Sequence, residues 1–223
     1  MLDPQRNAAN TARTDADEPP VVFVVDDDVS VRESLELLIG HAGWQPRLLE
    51  SAQAFLQQDK PRGPSCLVLD VNLPDLNGLD LQACIGTARP DMPIIFITGF
   101  GDVPLTVRAM KAGAIEFLTK PFDDEVLLLA IAEALERSRA ALAHEAGLAA
   151  VRDAYGSLTP REREVLGMVV SGRLNKQIAA DLGISEITVK AHRGKVMRKM
   201  RARTLPDLVQ MAAQLSLPSV PGG

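Results

Sequence analysis

Only two of the 223 residues are cysteine, and neither Cys66 nor Cys84 stands in a CxxC or metal-ligand spacing. A thiolate metal site and a redox pair are thereby excluded, and both thiols are expected to be buried. Long apolar runs are missing too: none approaches the roughly 20 residues that span a bilayer, so no membrane role is expected. The first twenty residues hold no apolar stretch able to act as a secretory signal. Residues 1–20 are therefore expected to be a flexible leader, residues 218–223 a flexible tail, and the cytoplasm the compartment. Nor does a glycine-rich loop follow the first apolar run, which argues against a nucleotide cradle.

The formal charge of −5 conceals a split. Residues 21–125 carry 16 acidic side chains against 8 basic ones, whereas residues 157–207 carry 5 against 11. The acidic part suits a cation site, and the basic part a polyanion, most simply nucleic acid. Five apolar, β-branched runs (21–25, 45–49, 65–69, 93–98 and 114–119) alternate with helical spacings such as Val31, Leu35, Leu38 and Ile39. That alternation predicts an α/β fold, a flavodoxin-like doubly wound sheet of five parallel strands in the order 2-1-3-4-5, over residues 21–124. Residues 125–155 predict a helical extension and linker. Residues 156–217 predict an all-α domain of four helices. Its first helix opens on the capping box Thr159-Pro160-Arg161-Glu162, Gly183 turns the second into the third, Ser185 caps the third, and Thr204 caps the fourth. Such a set is a helix-turn-helix design.

In a doubly wound sheet, function gathers at the carboxyl ends of the strands, which here read Asp26-Asp27-Asp28, Asp70, Thr98 and Lys120. Clustered carboxylates repel one another unless a cation or proton compensates, and a hard divalent ion, Mg²⁺, is the simple answer. Asp70 offers a nucleophile for phosphorus, Thr98 a hydroxyl and Lys120 a point charge for the phosphoryl oxygens. A rival enzyme reading is a phosphatase of the haloacid-dehalogenase type, with Asp26 as nucleophile and Asp28 as acid/base. That chemistry needs another acidic strand end after its lysine, whereas here Lys120 leads directly into a helical stretch.

The segments Val24-Val25-Asp26-Asp27-Asp28, Leu69-Asp70-Val71-Asn72-Leu73-Pro74-Asp75, Ile97-Thr98-Gly99 and Lys120-Pro121-Phe122 resemble, in order and spacing, the receiver domain of two-component response regulators. The stretch from Gly101-Asp102-Val103-Pro104 to Gly113-Ala114 resembles the FixJ-like branch, close to its styrene-catabolism regulators. The resemblance implies a non-enzyme in which a sensor histidine kinase phosphorylates Asp70. It implies that Asp27, Asp70 and the Asn72 main-chain carbonyl bind Mg²⁺ with support from Asp26, and that the Lys120–Pro121 peptide is cis. It further implies that Thr98 moves inward on phosphorylation, that Phe117 fills the vacated space, and that residues 103–119 become a homodimer face. Phe100, two positions beyond Thr98, is expected to shield the phosphoaspartate from water.

The stretch 158–166, with Asn175-Lys176-Gln177-Ile178-Ala179 and Ile184-Ser185-Glu186-Ile187-Thr188-Val189-Lys190-Ala191-His192, resembles the LuxR/NarL-type helix-turn-helix. The third helix is then the reader of double-stranded promoter DNA. Glu186, Thr188, Lys190 and Ala191 are expected near base edges, and Lys176, His192, Lys195 and Lys199 at the phosphates. His41 and His144 lie outside this domain, which argues against a metal role for His192. Two such modules would read half-sites about 34 Å apart, with RNA polymerase as a candidate further partner.

Overall fold

The computed structural model describes residues 19–99 and 101–215. The expectations attached to Phe100, to residues 1–18 and to the C-terminal tail from 216 lie outside the described residues. Two compact units divide between Leu142 and Ala143. Among the described residues no helix is long and apolar enough to cross a membrane.

The first unit alternates β1 (Val21–Val25), α1 (Val29–His41), β2 (Gln45–Leu49), α2 (Ala52–Leu56), β3 (Ser65–Asp70), α3 (Gly78–Ala88), β4 (Ile94–Thr98), α4 (Val103–Lys111), β5 (Glu116–Thr119) and the start of α5 (Asp124–Gly156). The five strands are parallel in the order β2-β1-β3-β4-β5, as the alternation predicted. Because successive strand residues face opposite ways, the continuous apolar runs divide between two cores. Val21, Phe23, Leu67, Leu69, Ile94 and Phe96 pack toward α2–α4 with Phe55, Leu81, Ile85 and Ala109. Val22, Val24, Val68, Ile95 and Ile97 pack on the other face with Leu35, Ile39, Leu127 and Ile131 of α1 and α5.

Two details depart from expectation. β5 begins at Glu116, later than the apolar run suggests, because the chain leaves α4 through Gly113 at φ 94° and the Ala114 N–H still bonds the Ala109 carbonyl. Cys66 is buried, and burial pushes its thiol up, but Cys84 is exposed. Leu81, Gln82 and Ile85 take the inward face of α3 and leave Cys84 turned outward.

The second unit contains α6 (Pro160–Val170), α7 (Asn175–Leu182), α8 (Glu186–Lys199) and α9 (Leu205–Gln214). Gly183 ends α7 at φ 61°, a left-handed turn that glycine adopts without a Cβ penalty. Leu158, Val165, Leu166, Ile178, Val189, Val196 and Leu208 form the core. The segment expected as a linker is unbroken helix across Gly147. Its first turns bury Leu127, Ile131 and Leu135 in the sheet unit, and its last turns pack Val151, Ala154 and Tyr155 against the helical core.

Candidate functional site

Parallel strands deliver their carboxyl ends to one edge of the sheet, and four of them supply the acidic pocket. Asp26, directly after β1, is fully buried. Its Oδ1 accepts the Asp28 N–H at 2.9 Å and its Oδ2 accepts a hydrogen bond from Lys120 Nζ at 2.7 Å. Burial pushes the Asp26 carboxyl above the usual carboxylate range, against the downward pull of Lys120. Asp27 beside it is exposed, while Asp28 caps α1 through the Ser30 N–H. Asp70, the last residue of β3, is 7% exposed. Its Oδ1 accepts the Asn72 N–H at 3.2 Å, and its Oδ2 accepts a second hydrogen bond from Lys120 Nζ at 3.1 Å. Desolvation acts to lower the lysine pKa, but the two carboxylates outweigh it and hold Lys120 above its ordinary value.

Asp26, Asp27 and Asp70 each present an oxygen, and these atoms lie within 4.8 Å of one another. An oxygen-only donor set with a single lysine to balance three carboxylates fits a hard divalent cation such as Mg²⁺. Thr98, at the end of β4, is buried, and its Oγ1 accepts a hydrogen bond from Asn72 Nδ2 at 3.3 Å. Asn72 thus touches both Asp70 and Thr98 through its N–H groups. The Lys120–Pro121 peptide is cis. Phe117 is half-buried on β5, with its ring 6.1 Å from that of Phe96.

Three supporting residues had no role of their own assigned from the sequence, although Asp75 and Gly101 lie within the family-like segments. Arg32 on α1 donates from Nη1 to the Asp26 carbonyl at 2.6 Å. Asp75, in the loop after Asp70, accepts the N–H groups of Ala52 and Gln53 at 3.3 and 2.9 Å and so ties that loop to α2. A Cβ on Gly101 would lie 2.6 Å from Thr119 Cγ2 and 3.3 Å from Phe117 Cε1, so glycine keeps the space around the Phe117 ring open.

In the helical unit, α8 starts from the Ser185 cap, whose Oγ accepts the Thr188 N–H and hydrogen-bonds Thr188 Oγ1. Lys176, Glu186, Thr188, Lys190, Ala191 and Lys195 are all exposed. His192 is half-buried, and its Nδ1 is enclosed without a hydrogen-bond partner. Lys199, expected at the phosphates, donates from its ammonium to Glu162 Oε2 at 2.7 Å and to the Ser157 carbonyl at 3.1 Å, and so closes the end of α8 onto the start of α6. Glu162, 3% exposed, also accepts the Thr159 N–H at 2.9 Å, and Lys199 is the main cause that draws its pKa down to about 2. The sequence marked Glu162 as a cap but gave no sign of this second partner.

A family model described as the response regulator receiver domain matches residues 22–132, and one described as bacterial regulatory proteins, luxR family, matches residues 156–212. The chain is 48% identical over 204 residues to nodulation protein W of Bradyrhizobium diazoefficiens, covering 92% of this chain and 90% of that protein. It is 42% identical over 199 residues to response regulator protein TmoT of Ectopseudomonas mendocina, covering 89% and 90%. A low-resolution structure of the response regulator StyR, 44% identical, superposes with a TM-score of 0.79 over 88% of this chain and 99% of that one.

Proposed function

The chain belongs to the response-regulator family, in the group that joins a receiver to a LuxR-type helix-turn-helix, and on that premise we propose that phosphorylation of Asp70 by a sensor histidine kinase switches its binding to promoter DNA. The observation that carries this reading is the bridging of Asp70 and Asp26 by one lysine at a strand-end pocket whose next neighbour is the Thr98 hydroxyl. An Asp70 carboxylate oxygen forms the bond to phosphorus as the phosphorus–nitrogen bond of the donor phosphohistidine breaks, and the imidazole leaves. Lys120 Nζ, already within hydrogen-bond distance of Asp70, takes up the negative charge of the incoming phosphoryl oxygens. Asp26, Asp27, Asp70 and the Asn72 carbonyl would hold Mg²⁺, which when bound neutralises phosphoryl charge.

Asn72 Nδ2 bonds Thr98, so a phosphoryl group on Asp70 that recruits the hydroxyl competes with that bond and draws the β4 end inward. Phe117, packed on Phe96 beside the open space at Gly101, then follows. The face that responds is α4, whose Val103, Val107 and Met110 are exposed along one stripe. Apolar residues so arranged suit a phosphorylation-favoured homodimer. The basic α8 then meets DNA in two copies, with RNA polymerase as a further partner and the cytoplasm as the compartment. The phosphatase alternative gains no support: Asp26 is fully buried with both carboxylate oxygens engaged, and α5 rather than another acidic strand follows Lys120.

The test is intact-mass analysis after incubation with acetyl phosphate and Mg²⁺, with size exclusion on the same samples. The wild type is expected to gain one phosphoryl group and shift to dimer, and Asp70→Asn to do neither. An adduct that survives the substitution, or turnover of many acetyl phosphates without an adduct on Asp70, would overturn the reading.

A further inference from the structure

Around α8, residues advance by about 100° per position, and Val189, Val196 and Met200 occupy the face turned to the core. The opposite face carries Ile187, Ala191 and Gly194 in line, with Lys190 and Lys195 on its two flanks, all exposed. Ile187 is 83% exposed, more than any other large apolar side chain among the described residues. A lone exposed aliphatic residue is ordinary on a protein surface, but Ile187 shares its face with Ala191 and Gly194, which have almost no side chain, so a flat surface can come close to the helix there. The lysines on either side fit a polyanion.

On the edge of a base pair in the major groove, the apolar group is the C5-methyl of thymine. We propose that Ile187 is a base-reading side chain that packs on a thymine methyl, while Ala191 and Gly194 let the helix settle close to the base edges. Lys190 and Lys195 then reach the groove and its phosphate walls. The inference rests on the DNA-binding reading and deepens it by naming the base chemistry that α8 selects.

The test begins with full-length protein, activated with beryllofluoride, selecting duplexes from a random pool. Each thymine of the selected site is then replaced by uracil, which removes only the methyl group, and binding is compared for wild type and Ile187→Ala. At one thymine of each half-site the wild type is expected to lose about fourfold in affinity, the worth of one buried methyl group. Ile187→Ala should bind the thymine site as weakly as wild type binds the uracil site, with no further loss on replacement. Alanine is the stronger helix former, so circular dichroism should show the variant folded. A wild type indifferent to every replacement, or a variant that keeps the same sensitivity, overturns the role of Ile187 while leaving DNA binding in place. Failure of the wild type to enrich or retain any duplex overturns the DNA-binding reading, and the inference with it.

Discussion

Lys120 and Lys199 both meet carboxylates, but their surroundings give them different work. Lys120 is held between Asp26 and Asp70, where its charge is available to an incoming anion. Lys199 is spent on Glu162, a carboxylate almost sealed from water. The second pair predicts a pH dependence. Glu162 has its carboxyl lowered from 4.5 to about 2 in the folded chain. A lowered acid contributes stability that is fully present above its unfolded value and is lost as pH falls toward its folded one. The helical unit should therefore lose stability progressively between about pH 4.5 and pH 2. Tyr155, the chain's single tyrosine, packs in that unit under Arg163, so its ring resonances during thermal unfolding report it. Glu162→Gln should lower the melting temperature at neutral pH and flatten the dependence in that window. A variant that follows the wild-type curve would show that the pair contributes nothing.

Elements inherit these local choices. Asp28, Ser51, Asn77 and Asp102 each supply a side-chain cap to a helix of the sheet unit, and Thr159, Ser185 and Thr204 do so in the helical unit. Those at Thr159, Ser185 and Thr204 were legible in the sequence because the chemistry of an N-terminus admits few residue types. Gly147, a weak helix former, sits in the unbroken α5 with nothing within 4 Å of where its Cβ would be. Gly147→Ala should therefore stabilise the chain by about 0.5–1 kcal/mol, the difference in helix propensity, in urea denaturation followed by circular dichroism. A destabilised variant would mean that the glycine is needed for a bend. On α4 Val103, Val107 and Met110 keep exposed apolar surface along one stripe, which suits a partner.

At the scale of the molecule, the acidic and basic halves of the charge distribution coincide with two units that each close their own core. In the proposed switch, activation acts through a change of assembly, and Val103, 77% exposed, is the place to interrupt it. Val103→Asp should leave thermal stability within about 0.5 kcal/mol of wild type, as surface substitutions do, yet keep the beryllofluoride-activated protein monomeric in sedimentation velocity. A variant that still dimerises would move the face away from α4. The strand order, the helix starts of the second unit and the strand-end residues Asp26, Asp27, Asp70, Thr98 and Lys120 could be read from the sequence alone. Periodicity, capping chemistry and strand-end position are local properties, and sheet topology allows few arrangements of them. Tertiary structure decided which of two similar side chains is spent internally. It turned Cys84 outward and paired Lys199 with Glu162. It brought Asp75 to α2, and Arg32 to the Asp26 carbonyl. Those outcomes depend on how whole elements pack, which sets the face of a helix that turns inward and the polar groups brought within hydrogen-bonding distance, about 3 Å.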